Sequence, residues 1–408
     1  MNFRPFQIAA MLSAGLCLSG LAHAQRAEVI HWWTSGGEAA AIKTYADMYT
    51  KMGGTWIDSP IAGGGGAQAR TVTANRTMGG DPPTAAQFNY GTQYAEYIKN
   101  GLLNNIDDVA AKNDFDHILP PTLAKQIKVD GHYYAVPVNI HNENWVWYNK
   151  DVLAKAGVTK EPVTMDEILA AMDKVKAKGM VGLALGGQQW QEAIMFRSVM
   201  LNVGGKELYE QVYRGKDVSG PQFKKALESY KKLKAYVDAG SPGRDWNLAT
   251  GMVIEGKAGF QFMGDWAKGE FINANKKQGP DFGCFMAGGP KMPYSIGGDV
   301  FVFPKTDKAD SVAAQKKLAN MMISKEGQVA FNNKKGSIPV RADVDLSAVD
   351  DCAKAGIAAV KEGRLIESDN ALISQDTKGA FDDEVSKFWN SDRSVDDTIK
   401  ALQTALKR

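Results

Sequence analysis

Cysteine and histidine are scarce in this chain of 408 residues, which holds three of the first and five of the second. Beyond the N-terminal stretch the cysteines are Cys284 and Cys352, and neither has a second Cys or a His at ligand spacing, so no zinc site or other metal centre is expected. Gly-x-Ser-x-Gly is missing, which removes the nucleophile elbow of a serine hydrolase. The formal net charge is only +2. Nucleic acid and anionic membranes both reward a strongly basic surface, so neither is indicated as a main partner. Internal repeats and low-complexity tracts are absent, and past residue 21 there is no long apolar run.

The beginning of the chain reads as an address. A short basic start, Asn2-Phe3-Arg4, precedes an apolar run from Phe6 to Leu21. Ala22-His23-Ala24 then supplies the small-x-small pattern of a signal-peptidase site. The run is shorter than the roughly 18 to 20 residues that span a bilayer. Cys17 follows Leu16 rather than a small residue, so it is expected to leave with the leader instead of carrying a lipid. A mature protein starting near Gln25, exported to the periplasm, is the expectation. Removing the leader takes away Arg4 alone among charged residues, and the remainder stays near neutral. In an oxidising compartment Cys284 and Cys352 form a disulfide candidate, with two buried free thiols as the alternative.

About 384 residues then remain, enough for two domains. Glu28 to Trp33 reads as a strand, Glu38 to Met52 as an amphipathic helix, Trp56 to Ile61 as a second strand and Thr84 to Phe88 as a third. Ala135 to Asn139 and Trp145 to Tyr148 are strand-like pieces able to carry the chain to a second lobe. Helices are predicted over Thr164 to Lys178, Gln191 to Val203, Gln222 to Ala239, Ser311 to Ile323 and Asp396 to Leu406. Strands are predicted over Gly182 to Gly186, Ala258 to Met263 and Val300 to Phe303. Alternation at short intervals indicates an α/β fold with parallel strands. The run Gly63-Gly64-Gly65-Gly66 lacks the Lys-Ser/Thr of a phosphate loop and reads as a tight strand-to-helix connection.

Aromatic residues beside polar ones carry the functional signal. Sugars present apolar C–H faces and polar rims, so their sites combine flat rings with carboxylates and amides. Trp32, Trp33, Trp190, Trp246 and Trp266 lie beside Gly, Asp, Asn or Gln at strand ends. Glu38, Gln87, Asn89, Asn139, His141, Asp265, Asp299 and Lys335 supply the polar partners. Because Trp32 and Trp33 are adjacent, a strand turns one inward and leaves the other at its end. Glu38 also suits a helix start, where an acid opposes the dipole. His141 reads equally as a structural residue and as a ligand contact. Two carboxylates facing across a cleft would permit glycoside hydrolysis, which stays open as an enzymatic alternative. A sensor or adhesion module that binds sugar without uptake is the other.

The segments His31-Trp-Trp-Thr-Ser-Gly-Gly-Glu38, Gly63-Gly-Gly-Gly66, Gly79-Gly-Asp-Pro-Pro83, Val136-Pro-Val-Asn-Ile-His141, Phe262-Met-Gly-Asp-Trp266 and Lys335-Gly-Ser-Ile338, in that order, resemble the periplasmic glucose-type sugar-binding proteins of ABC importers. These are extracellular solute-binding proteins of family 1, in the maltose-binding-like group. The resemblance covers nearly the whole mature chain. It implies a periplasmic-binding-protein-like fold: two lobes joined by a hinge with three crossovers, the sugar between them, no cofactor and no catalysis. An N-lobe over 25–138, completed by about 291–340, and a C-lobe over 139–290, completed by about 341–408, are expected. It implies sugar contacts at Trp32, Trp33, Glu38, Gln87, Trp246, Asp299 and Lys335. The implied partners are a sugar and the membrane permease subunits of an ABC importer, with the protein a monomer. Two departures bear on the ligand. Asn89 stands where monosaccharide binders of this group often carry His, and Arg364 to Asn370 lacks the C-terminal His. Another hexose, or a larger or substituted sugar, is therefore open alongside glucose. Trp33→Ala and Asp299→Ala are expected to abolish binding while leaving the unliganded melting point nearly unchanged.

Overall fold

The computed structural model describes residues 25–347 and 349–408; the leader expected over 1–24 lies outside them. Along the chain the strands that build the architecture are β1 (Arg26–His31), β2 (Thr55–Pro60), β3 (Ala85–Asn89), β4 (Ala135–Pro137), β5 (Trp145–Asn149), β6 (Val181–Leu183), β7 (Ala258–Phe262), β8 (Phe282–Met286), β9 (Tyr294–Ile296), β10 (Asp299–Val302) and β11 (Leu365–Glu367). Two separate sheets result. The first has the order β2-β1-β3-β10-β4 and the second β8-β5-β7-β6, while β9 and β11 form a small parallel pair.

In the first sheet β1 runs parallel to β2 and β3, and β10 lies antiparallel between β3 and β4. Its central strands are buried on both faces. Ala27 and Val29 of β1, Ala85, Ala86 and Phe88 of β3, and Val300, Phe301 and Val302 of β10 are fully buried. Such strands read as continuous apolar runs because helices cover the sheet. Helix Gly36–Lys51 packs against helix Lys325–Lys335 and also meets helix Ala267–Asn273 of the second half, and helix Ala309–Ile323 packs against β1 and β4. The second sheet packs with helices Met165–Ala177, Gln189–Tyr213, Pro221–Lys232 and Gln375–Asn390 around a second core. The start of Met165–Ala177 is legible in sequence: Thr164 and Glu167 form a capping box, each side chain meeting the other's backbone N–H.

Three segments join the halves: 138–144 from β4 to β5, the stretch from β8 to β10, and the stretch from helix Lys325–Lys335 to helix Asp351–Lys361. They bond to one another where they cross. Ile140 and Ile338 exchange backbone hydrogen bonds of 2.8 and 3.2 Å, and the His141 N–H donates to Gly297 O at 2.9 Å. Cys284 of β8 and Cys352 of helix Asp351–Lys361 form a disulfide across a separation of 68 residues, so the bonded alternative holds. It fastens the end of the third crossing segment to the second sheet. A loop of that length contributes about 4 kcal/mol in the chain-entropy picture.

Two helices differ in extent from the sequence reading. The helix predicted over Gln191 to Val203 starts two residues earlier, at Gln189, and helical chain resumes as far as Tyr213 beyond a break at Gly205, whose φ of 64° is non-helical. The one predicted over Gln222 to Ala239 ends at Lys232 and tightens into a 3₁₀ turn over Leu233–Tyr236.

Candidate ligand-binding cleft

Between the two sheets lies a cavity of about 660 Å³, within the range that holds small ligands. Its walls are assembled from strand ends. β1 stops at His31 and delivers Trp32 and Trp33, while β3 ends in Asn89 and β10 begins with Asp299. The far wall brings Trp190, Trp246 and Trp266 from the starts of helices of the second lobe. The lobes also touch across the mouth: Thr92 Oγ1 donates to Asn370 O at 3.2 Å, and Gln375 Nε2 donates to Thr92 Oγ1 at 3.0 Å.

The strand predicted over Glu28 to Trp33 ends at His31, and the tryptophan pair just beyond it still divides. Trp33 is 1% exposed and packs against Phe301 and Phe331, with ring centroids at 5.7 and 5.0 Å. Trp32 is half-buried at the cleft wall. Gly66 makes room for it: a Cβ there would stand 2.5 Å from the Trp32 ring, and its φ of +87° already favours glycine. Trp266 faces the same space, edge-on to His141 at 5.1 Å and tilted toward Trp190 at 6.4 Å.

Glu38 and Lys335 meet inside the first lobe wall. Lys335 Nζ donates to Glu38 Oε1 at 2.7 Å, with both side chains nearly fully buried. Lys335 closes helix Lys325–Lys335, and Gly336 at φ +86° turns the chain away in the left-handed region. The ammonium also lies 5.5 Å from the Trp33 ring centroid and 5.9 Å from that of Trp266. Glu38 sits in the first turn of helix Gly36–Lys51, so it serves the helix dipole as well as the ion pair.

Asp299 is the hub of the polar wall. Its Oδ1 accepts from Gln87 Nε2 at 2.9 Å and Asn89 Nδ2 at 3.1 Å. Its Oδ2 accepts from Asn139 Nδ2 at 2.8 Å and pairs with His141 Nε2 at 2.9 Å. The other imidazole nitrogen, Nδ1, pairs with Asp265. One buried imidazolium thus bridges a carboxylate of the first sheet, Asp299, and one that follows β7 of the second. Tyr294 also donates to Asp265, at 3.2 Å. Burial opposes protonation of His141, yet Asp265 and Asp299 outweigh it and raise its pKa from 6.5 to about 9. Burial likewise opposes ionisation of Asp299, and the His141 hydrogen bond and charge, with Lys335 and Asn139, hold its pKa below the ordinary carboxylate value.

Linkage then gives the sign. The His141 contribution to stability is complete below its ordinary pKa of 6.5 and is lost as pH rises through about 9. Its size is on the order of 3 kcal/mol. The Asp299 contribution runs the other way and is lost in acid. An NMR titration of the His141 ring is expected to place its midpoint near 9; a midpoint at the ordinary value of 6.5 contradicts the bridge.

Of the residues singled out in the sequence, Trp32, Trp33, Glu38, Asn89, His141, Trp246, Trp266, Asp299, Lys335 and Trp190 line the cavity. Gln87, Asn139 and Asp265 stand one layer behind it, as hydrogen-bond partners of Asp299 and His141. Sequence reading missed a charged cluster on the second-lobe wall. Arg197 pairs with Glu143 at 2.9 Å, Asp369 at 3.1 Å and Asp382 at 3.4 Å, and Lys378 joins Asp369 and Asp382. Burial opposes the Arg197 charge, but these carboxylates raise its pKa. The spacing of Lys378 and Asp382 is a readable ion pair on one helix face; its meeting with Arg197 is a tertiary event. Arg70, in the first turn after the glycine run, was also missed. Ser368 and Asn370 line the cavity, whereas Arg364 turns away to Glu362 and Met292 O.

A family model described as bacterial extracellular solute-binding protein matches residues 44–358. A probable sugar-binding periplasmic protein of Brucella suis biovar 1 (strain 1330) is 43% identical over 392 residues, covering 94% of this chain and 92% of that protein. A protein of the same description from Rhizobium meliloti (strain 1021) is 42% identical over 393 residues, 94% of each chain. Among solved structures, one described as a chitin oligosaccharide binding protein has a TM-score of 0.77 over 94% of this chain and 98% of that one, at 19% identity; this is a likeness of fold.

Proposed function

The chain belongs to the bacterial extracellular solute-binding protein family, and from that premise we propose that it captures a mono- or small oligosaccharide by hinge closure and presents it, chemically unchanged, to an ABC importer. The observation that carries this reading is the convergence of indole rings and hydroxyl-binding side chains from two lobes on one cleft. The ligand stabilises the closed form because only closure completes both sets of contacts. The units that move are the lobes 25–138 with 291–340 and 139–290 with 341–408. The protein works as a monomer in the periplasm after cleavage near Ala24, and the permease subunits of the importer read the closed outline formed by both lobes.

Catalysis does not suit the cleft. A glycosidase needs one carboxyl held protonated beside a second that is ionised. Glu38 is paired with Lys335, Asp299 is held ionised by His141, and Glu143 and Asp382 are paired with Arg197. Each of these four has a cationic partner, an arrangement that supports the non-catalytic reading; Asp245, also on the wall, accepts from Gln188.

The test is a thermal-shift screen over mono- and disaccharides, followed by recovery of the best ligand. A true ligand stabilises the fold by about 3 to 4 kcal/mol at 100 to 1,000 times its Kd. Chromatography after prolonged incubation is expected to return the sugar intact and in stoichiometric amount. Turnover of the sugar supports the glycosidase reading instead, and normal uptake in a deletion strain supports a sensor or adhesion role.

A further inference from the structure

Every other basic group on the cleft wall is already neutralised: Lys335 by Glu38, Arg197 and Lys378 by the carboxylates of their shared cluster, and His141 by Asp265 and Asp299. Arg70 differs. Its guanidinium lines the cavity, 5.7 Å from the centroid of the Trp32 ring, and its single protein hydrogen bond among the described residues is from Nη1 to Gly65 O at 3.2 Å. Among the described residues, no carboxylate comes within ion-pairing distance of it. Burial pushes its pKa down, opposed only in part by the Tyr97 phenol, whereas those of Arg197, Lys378 and His141 are raised by carboxylates. A partly desolvated cation with spare donors is costly to hold empty, and the cost is recovered when an anion arrives.

We propose that Arg70 reads a carboxylate, so that the sugar taken by this cleft is an acidic one: a hexuronate, or a short oligosaccharide that ends in one. The proposal rests on the reading of the cleft as a sugar site and names the class of sugar. A planar guanidinium fork matches a carboxylate with two parallel N–H donors, and Arg70 keeps donors free for it, since its one side-chain hydrogen bond among the described residues uses Nη1 alone. A single fork suits a carboxylate better than a phosphate, which favours more than one cation. The ring to which the carboxylate belongs then lies against the Trp32 platform, where an indole covers a sugar's C–H face. Asp245 also lines this part of the cavity, on the other lobe; it accepts from Gln188 and is exposed, so water screens its charge from the bound anion.

Calorimetry on the mature protein with matched pairs tests it: galacturonate against its methyl ester, glucuronate against its methyl ester, and glucose 6-phosphate as the phosphate arm. The acid is expected to bind about tenfold or more tighter than its uncharged ester. That ratio is expected to fall with added salt, to shrink in Arg70→Lys and to approach unity in Arg70→Gln, with melting curves showing both variants folded. Because the ratio is taken within one variant, a general loss of affinity does not imitate the effect. An ester that binds as well as its acid, or a ratio that survives Arg70→Gln, overturns the inference and leaves sugar binding standing. Preference for the phosphate overturns the carboxylate assignment. If neither neutral nor acidic sugars bind, the sugar reading itself falls, and the inference falls with it.

Discussion

Asp299→Ala is expected to abolish ligand binding and to destabilise the unliganded protein by about 3 to 5 kcal/mol. The sequence reading anticipated the first effect and a nearly unchanged melting point. The hydrogen bonds argue for a different second effect. Asp299 is 3% exposed, and its two oxygens are taken by Gln87, Asn89, Asn139 and His141. Truncation leaves buried amide donors without an acceptor and strips the His141 imidazolium of one of its two carboxylates. Asp299→Asn keeps the shape but replaces one acceptor oxygen with a donor, which then faces other donors, so an intermediate loss is expected. Urea unfolding of the unliganded variants reads both values. An Asp299→Ala protein as stable as the parent contradicts the hub.

Trp33→Ala is expected to cost about 3 to 5 kcal/mol in the absence of ligand, the range for removing a large aromatic from a packed core. Trp33 is 1% exposed, and its ring meets Phe301, Phe331 and the Lys335 ammonium. Its loss therefore weakens binding chiefly by loosening the wall that carries Lys335 and Glu38. Trp32→Ala provides the contrast. That ring is half-buried, so binding falls while the unliganded unfolding midpoint moves much less. The pair of variants separates a core indole from a platform indole. Equal destabilisation by the two substitutions contradicts the division.

This division shows what was legible. Adjacent residues at a strand end must part, so the sequence alone places one tryptophan inward and the other at the cleft, though not which ligand contact each makes. Likewise the β-rich runs Glu28 to Trp33 and Val300 to Phe303 mark central strands because both faces are apolar. Depth was harder to read. Gln87 and Asn89 lie two residues apart on β3 and point to the same face, yet Gln87 is bonded behind the wall and Asn89 lines the cavity. Nothing in their local pattern separates them; the crossing of β10 does, by placing Asp299 opposite Asn89. The Arg197 cluster was illegible for a related reason. Its members come from a crossing segment, a long helix and the C-terminal helices, and only packing of the second lobe brings them within ion-pairing distance. Such charges tolerate burial because their partners are buried with them. The hinge carries the same lesson in small: Asn139 and His141 look like isolated polar residues after a strand, and they become a bridge once three crossing segments meet.

The most direct measurement is the crystal structure of the mature protein with the saccharide that stabilises it best. The ring is predicted to lie in the cleft against Trp32 or Trp266, bonded both to a first-lobe group such as Glu38, Asn89 or Arg70 and to a side chain of the second lobe. A sugar bound outside this cleft, or held by one lobe alone, contradicts the account.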